Sequence, residues 1–397
     1  MRILIASDQW SPDTIGGSAR VAADTARSLA ARGHVVTAIV PAQPDHVVRT
    51  IEDGVDVLRV LRRRGLPQTL ADPIATRRNA RLLSPDFDVL VGHQSTTAVG
   101  LAAGLPGVPL VLVYHASAVL EGRYLTSRLG RYEQLKLRAL DPAHVALERR
   151  AAGRASTILV LSAFSRGLFN DQHPGAAGRV RQVSGGVDAG FLAPPAESAD
   201  AVRARHGIPT DAIFLLTTRR LEPRMGLEEL LAALAAAGDP RLTLVITGAG
   251  GQRASLEALA RSLAVSDRVR FLGRVSETEL RALYAAADLF VLPTVAYEGF
   301  GMSTVEALAS GTPVLGTAVG ATPEILAPID NALIVPRADG QSLAEGLRRV
   351  IPLLTPELRA RCADRARAEY AWETAILPWE VALREVAIDS QPVPGTL

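Results

Sequence analysis

The sequence predicts an α/β protein built from two doubly wound parallel-sheet domains in tandem, and three observations support this. Short apolar runs of strand length alternate with amphipathic helical stretches in both halves. The length, 397 residues, exceeds that of a usual single α/β domain. A run of linker composition, Pro194-Pro195-Ala196-Glu197-Ser198, lies close to the midpoint.

The elements follow in order. Ile3–Ala6 reads as a short buried strand, and Ser7–Ser18 as a polar, Gly-rich loop. The spacing of Val21, Ala22, Ala26, Leu29 and Ala30 predicts an amphipathic helix over Ala19–Ala31. Gly33 ends it, and Val35–Val40 is the next strand. Further strands are expected at Asp88–Val91, Pro109–Tyr114 and Thr157–Leu161. After the linker come strands Ile213–Thr217, Thr243–Thr247, Val269–Leu272, Leu289–Leu292 and Pro313–Gly316. The helices between them are expected at Gly226–Ala236, Ala254–Ala264, Glu277–Ala286 and Met302–Ala309. The tail beyond Asp389 is expected to fray. Two such domains bind ligands at the carboxyl ends of their strands, which makes the cleft between them the expected site.

Composition narrows the function classes. Hydrophobic residues make up 48% of the chain, enough for two cores. No apolar run approaches the ~20 residues of a membrane span, and the apolar run after Met1-Arg2 is too short for a signal peptide. A single cysteine, Cys362, excludes an internal disulfide. The expected location is the cytoplasm. The small net charge of +2 conceals an asymmetry: residues 1–190 hold 23 Lys+Arg against 16 Asp+Glu. The excess lies at Arg59, Arg62, Arg63, Arg64, Arg77, Arg78 and Arg81, then at Arg123, Arg128, Arg131, Lys136 and Arg138. At 4%, aromatics are too sparse for a nucleic-acid surface. Solvated helix faces account for the arginines; an anionic acceptor or peripheral contact with an anionic inner membrane face is the sharper alternative.

The segment Glu298-Gly299-Phe300-Gly301-Met302-Ser303-Thr304-Val305-Glu306 carries the chemistry. It follows an apolar strand and opens a helix, so its glycines leave amides at a helix N-terminus, where anions bind. Carboxylates on either side of that N-terminus suit a ligand with hydroxyls flanking a diphosphate, as in a nucleotide sugar. A capped helix with an acid favouring the dipole fits the same residues.

The segment resembles the E-x7-E signature of retaining glycosyltransferases of family 4, which have the GT-B fold of two Rossmann-like domains facing a central cleft. Ala307–Val314 and Gly320–Ile325 are similar to the same family's pattern. The resemblance implies a nucleotide-sugar donor, retention of configuration and no metal or other cofactor. It places the donor sugar on Glu298 and the ribose hydroxyls on Glu306, with Gly299, Phe300, Gly301, Met302 and Ser303 between them as donor contacts. Gly16 and Gly17 are similar to the glycine pair whose backbone approaches the diphosphate, and His115 to a histidine near the donor sugar. Ser162 with Arg166, and Gly186-Val187-Asp188, resemble architectural landmarks. Trp372-Glu373 and the helix to about Val386 resemble a segment that crosses back to the first domain. The implied domains are therefore 1–190 for the acceptor, 191–372 for the donor and 373–397 for the crossing helix and tail.

Thr218-Arg219-Arg220-Leu221-Glu222-Pro223-Arg224-Met225-Gly226 is similar to the family's G-R-L-x-x-x-K-G block, whose Arg and Lys hold the diphosphate. Arg220 is present; Met225 replaces the lysine and Arg219 the first glycine. A thioether donates no hydrogen bond, so the site loses about 1.5–3 kcal/mol unless another cation compensates. Arg224 is the expected replacement, and Glu298, His115 and Arg220 are the expected catalytic residues.

Gly248-Ala249-Gly250-Gly251 lacks the third glycine of a dinucleotide fingerprint and reads as a tight turn, with Gly248 near the nucleotide. Asp86-Phe87-Asp88 leads into a strand at its amino end, away from the expected site, and is not taken as a metal ligand. Acceptor contacts are expected from the loops around Trp10–Gly17, His93–Thr97 and His115–Tyr124, with Trp10, Asp13, His93, Tyr114 and His115 as the candidate residues. A carbohydrate, a natural product and a lipid-linked carrier all fit these loops. A sugar-nucleotide epimerase of the same fold and a catalytically silent binding module are the rival classes.

Overall fold

The computed structural model describes residues 1–14, 16–42, 48–63, 65–83, 86–117, 119–120, 122, 124 and 141–389. Arg64, Arg123, Arg128, Arg131, Lys136 and Arg138, part of the loop expected over His115–Tyr124, and the tail beyond Asp389 lie outside the described residues. The chain forms two compact units: Met1–Gly186 with the segment from Trp372 onward, and Val187–Ala371.

In the first unit, eight strands form one sheet. They are β1 (Arg2–Ser7), β2 (Val35–Pro41), β3 (Val48–Glu52), β4 (Val55–Val60), β5 (Val89–His93), β6 (Leu110–Tyr114), β7 (Thr157–Val160) and β8 (Val180–Gln182). Their order is β3-β4-β2-β1-β5-β6-β7-β8. Helices α1 (Gly17–Ala31), α2 (Gln68–Ala80), α3 (Ser95–Gly104), α4 (Asp141–Arg154) and α5 (Ala163–Gln172) lie between strands along the chain. β5, β6 and β7 are buried along their whole length, as strands covered on both faces must be. The sequence predicts a parallel sheet, but the edge departs from this: β3 runs antiparallel to β4. Asp53 and Gly54 join them at φ 48° and 82°, a turn whose twist matches that of the flanking strands.

The second unit begins with α6 (Ala189–Leu192) and α7 (Ala199–Arg205). It continues as β9 (Ile213–Thr218), α8 (Leu227–Ala237), β10 (Leu242–Thr247), α9 (Arg253–Ser262), β11 (Val269–Gly273) and α10 (Glu277–Ala286). Then follow β12 (Leu289–Leu292), α11 (Met302–Ala309), β13 (Val314–Thr317), α12 (Thr322–Leu326), β14 (Ile334–Val335), α13 (Gly340–Val350) and α14 (Pro356–Tyr370). The sheet order is β11-β10-β9-β12-β13-β14, parallel throughout.

The chain enters this unit at Val187, ahead of the linker composition at Pro194–Ser198. The reason is local packing: Phe191 is fully buried against the edge of Tyr284, 5.9 Å between centroids, and Asp188 holds Arg281 at 2.6 Å. The last helix, α15 (Trp372–Asp389), belongs to the first unit. Trp379 is fully buried there and donates its indole N–H to the Ser184 carbonyl at 2.8 Å. Glu380 meets Arg32 at 2.6 Å and His34 at 3.0 Å. The hydrogen bond from Arg384, with those from Arg32 and His34, outweighs burial and holds the Glu380 carboxyl at about 2.

Each sheet reverses its winding once, between β1 and β5 and between β9 and β12. Loops leaving two such strands diverge and open a crevice at their carboxyl ends. The candidate residues of each unit gather there.

Candidate active site

In the second unit the crevice is walled by the loop after β9 and the loop after β12. Arg219 follows β9 directly, and its guanidinium reaches across to the other loop. Its Nη2 lies 2.8 Å from Glu298 Oε2, 2.7 Å from Thr294 Oγ1 and 3.0 Å from Met225 Sδ. Its Nη1 lies 3.4 Å from Ser303 Oγ, in the first turn of α11. The Thr294 hydroxyl also meets Glu298 Oε2, at 2.9 Å. Burial alone would raise the Glu298 carboxyl. The charge and hydrogen bond of Arg219, the Thr294 hydroxyl and the charge of Arg224 overcome it and hold the group below its ordinary value. Glu298 is therefore a fixed carboxylate at neutral pH.

Close backbone approaches hold these loops. Gly248 has φ 115°, and a Cβ there would come within 1.9 Å of the Arg219 carbonyl oxygen. The Arg219 amide in turn donates to the Thr247 carbonyl at 3.0 Å. On the other wall, Gly320 has φ 61° and a Cβ would come within 2.1 Å of the Glu298 carbonyl oxygen, which accepts from the Ala321 amide at 2.8 Å. Only glycine fits either place. The Val295 amide donates to the Arg224 carbonyl at 2.9 Å and lashes the two walls together.

Helix α11 starts at Gly301 in the left-handed region, with no side-chain cap and no acid in its first turn. That leaves the positive end of the helix to an external anion. Glu306, one turn further on, is 5% exposed and accepts from the Tyr284 hydroxyl at 3.1 Å. The two carboxylates thus sit in different surroundings, one on a guanidinium and one on a phenol.

In the first unit, Gly16 is the N-cap residue of α1 and Gly17 its first residue, again without a side-chain cap or an acid in the first turn. His93, at the end of β5, is fully buried, and its Nδ1 lies 3.0 Å from Nε2 of His115, just beyond β6. The rings stack at 5.2 Å, and His93 stacks in turn on Trp379 at 6.3 Å. Burial lowers His115 to about 4, and burial with the neighbouring His115 holds His93 well below its ordinary value. A ring-to-ring hydrogen bond needs one nitrogen as acceptor, so neutral rings suit this contact.

These two assemblies can be set beside known proteins. The model of the glycosyltransferase family 4 domain matches residues 15–191, and that of the glycosyl transferases group 1 matches residues 198–369. D-inositol 3-phosphate glycosyltransferase 1 of Catenulispora acidiphila is 30% identical over 386 residues, covering 91% of this chain and 88% of its own. The chain is a family 4, group 1 glycosyltransferase.

Solved structures agree on the GT-B fold of this glycosyltransferase. Sucrose-phosphate synthase from Thermosynechococcus elongatus matches with a TM-score of 0.82 at 23% identity, covering 98% of this chain and 99% of that one. HepE of Anabaena in complex with UDP-glucose matches at 0.73 and 20% identity, covering 98% and 99%.

The structure places the expected residues of the glycosyltransferase unevenly. Glu298, Gly299, Gly301, Met302, Ser303 and Glu306 surround the start of α11. Phe300 turns inward, 8% exposed, edge-on to Tyr370 at 6.0 Å, and leaves only its backbone to a ligand. Arg220 is exposed, 3.4 Å from Glu222. Arg224, expected to stand in for the lysine absent at Met225, is instead buried and donates to the Tyr297 carbonyl at 2.9 Å. It supports the turn where Tyr297 adopts φ 57°. The cation on the Met225 sulfur is Arg219, at the position where the similar block has its first glycine.

Two expected acceptor contacts are core residues. Trp10 is 1% exposed, and Tyr114 is 3% exposed with its ring edge-on to Phe169 at 5.0 Å. Asp13 is bound to Arg59 at 2.7 Å, and Arg59 also holds Glu52. Ser162 caps α5, accepting from the Ser165 amide at 3.0 Å. Asp86 and Asp88 lie ahead of β5, where Asp88 accepts from the Arg2 amide at 2.7 Å.

Proposed function

We propose that the chain transfers a hexosyl group from a nucleotide diphosphate sugar, a UDP-sugar ahead of a GDP-sugar, to a hydroxyl of an acceptor, with retention at the anomeric carbon and without a metal ion. The observation that carries this reading is the pair Glu298 and Glu306 around the uncapped start of α11, at the point where the sheet reverses. A diphosphate on the amides of Met302 and Ser303 leaves Glu298 for sugar hydroxyls and Glu306 for a ribose. HepE was solved with UDP-glucose, which supports the choice of donor class.

Breaking the anomeric bond leaves negative charge on the diphosphate. The α11 amides and the exposed Arg220 meet that charge through a preorganised field. In the favoured course, acceptor and leaving group share one face of the sugar, and a departing phosphate oxygen takes the acceptor proton. His115, neutral at pH 7, serves as a hydrogen-bonding partner to sugar, oriented by His93. For the acceptor, the name of the Catenulispora relative and the arginine excess of residues 1–190 favour a small anionic polyol. Carbohydrate, natural-product and lipid-linked hydroxyls are the other classes to assay.

A thermal-shift panel of nucleoside diphosphates and their sugars tests the donor reading. UDP is expected to raise the melting temperature of the native chain and to leave Glu306→Ala unmoved. No shift with any nucleotide would overturn it. Turnover of donor alone, into an epimer, would favour the epimerase class. NMR of the transferred sugar tests retention, and unchanged rates in EDTA test metal independence.

A further inference from the structure

We infer that Arg219 is a diphosphate-binding residue of this site, one that holds Glu298 in place with one amino group and presents the other to the phosphate. The inference deepens the donor reading and rests on it.

The geometry divides the guanidinium. Nη2 is committed to Glu298, Thr294 and the Met225 sulfur at 2.7–3.0 Å. Nη1 points to the first turn of α11 and, among the described residues, meets only the Ser303 hydroxyl, at 3.4 Å. Nε is buried without a hydrogen-bond partner among the described residues. The side chain is only 7% exposed. A buried cation aimed at an uncapped helix N-terminus adds its charge to the helix field at one point, where an anion would gain from both. Its planar fork serves a carboxylate and a phosphate at once, which a point charge does less well.

The other nearby cations contribute less to a phosphate at this point. Arg224 is spent on the Tyr297 carbonyl. Arg220 is exposed at the rim, so water screens its charge. Met225 makes the arrangement possible: it is 5% exposed, and its thioether lies flush against the guanidinium where an ammonium would repel it. The cation has moved from position 225 to position 219, in a chain whose only lysine is Lys136. Arg219 and Met225 are therefore a coupled pair.

The test compares UDP with UMP, which lacks the second phosphate, by calorimetric titration. The proteins are the native chain, Arg219→Gln, Arg219→Gly and the double variant Arg219→Gly with Met225→Lys, each checked for a cooperative melt. Arg219→Gln keeps an amide donor for Glu298 and loses the charge, so it carries the test if Arg219→Gly does not fold. UDP affinity is expected to fall about 10- to 100-fold in both single variants, the value of a charge-assisted hydrogen bond. UMP affinity should fall much less. In the double variant UDP affinity should recover most of the loss. Equal losses for UDP and UMP, or a double variant no better than Arg219→Gly, would overturn the inference. A native chain that binds no nucleotide would instead overturn the donor reading itself.

Discussion

The two crevices of this molecule are built at equivalent points of two sheets, yet they are electrostatic opposites. In the second unit, charges are kept: Arg219 and Glu298 are desolvated together and stabilise each other. At the His93–His115 pair of the first, charge is excluded: the two rings share a hydrogen bond and burial holds them neutral. A site that must bind an anion and hold a carboxylate needs fixed charge. A site that hydrogen-bonds to hydroxyls while sugar bonds break is served by neutral donors and acceptors.

Removing charge from the charged crevice should therefore do the most damage. Glu298→Ala leaves a buried guanidinium without its carboxylate and removes the proposed sugar contact, so transfer should fall by about 100-fold or more. The melting temperature should drop as well. A variant with native turnover would break the contrast between the crevices. Gly320→Ala acts on the same wall through the backbone. Its Cβ would meet the Glu298 carbonyl within 2.1 Å at a positive φ, so a stability loss of roughly 1–3 kcal/mol and weaker donor binding are expected. Chemical denaturation and titration read the two effects.

The neutral crevice should respond more mildly and mainly to pH. His115→Phe preserves the packing and removes the ring nitrogens; turnover is expected to fall about 5-fold, with donor affinity little changed, since one hydrogen bond of about 1 kcal/mol is at stake. Both histidines have folded-state values below their unfolded ones. The unfolded chain then binds more protons as pH drops below about 6.5, so stability should decline from there toward pH 4. Denaturation midpoints at a series of pH values follow this loss, and the decline should flatten in a variant lacking both rings. The smallest effect belongs to Tyr114→Phe: with its ring in the core, acceptor KM should stay at the native value. A large KM change would return Tyr114 to the acceptor site.

Much of this was legible in the sequence because parallel strands are read from apolar runs, and Leu289–Leu292, Glu277–Ala286 and Met302–Ala309 match their expected bounds. The β3–β4 hairpin was not anticipated, although Asp53-Gly54 between alternating residues is a strong turn signal. β3 and β4 follow one another with no helix between them, outside the βα rhythm from which the other strands are read. The E-x7-E segment pointed to the charged wall, since its spacing, loop and helix start are all local in the chain. The role of Arg219 was not local: it depends on a contact 79 residues away that no spacing rule predicts. Trp10 and Tyr114 failed as surface candidates for the opposite reason. An aromatic reads the same in the sequence whether it faces a ligand or fills a core; the packing of Tyr114 on Phe169 and the burial of Trp10 decide.

Hydrogen–deuterium exchange with and without UDP tests the central claim most directly, because it locates the donor without altering a residue. The account predicts slower exchange in 217–226 and 293–306, the two walls that carry Arg219 and Glu298, and little change in β3 and β4 at the far edge of the other sheet. Nucleotide binding that leaves both walls exchanging as before would contradict it.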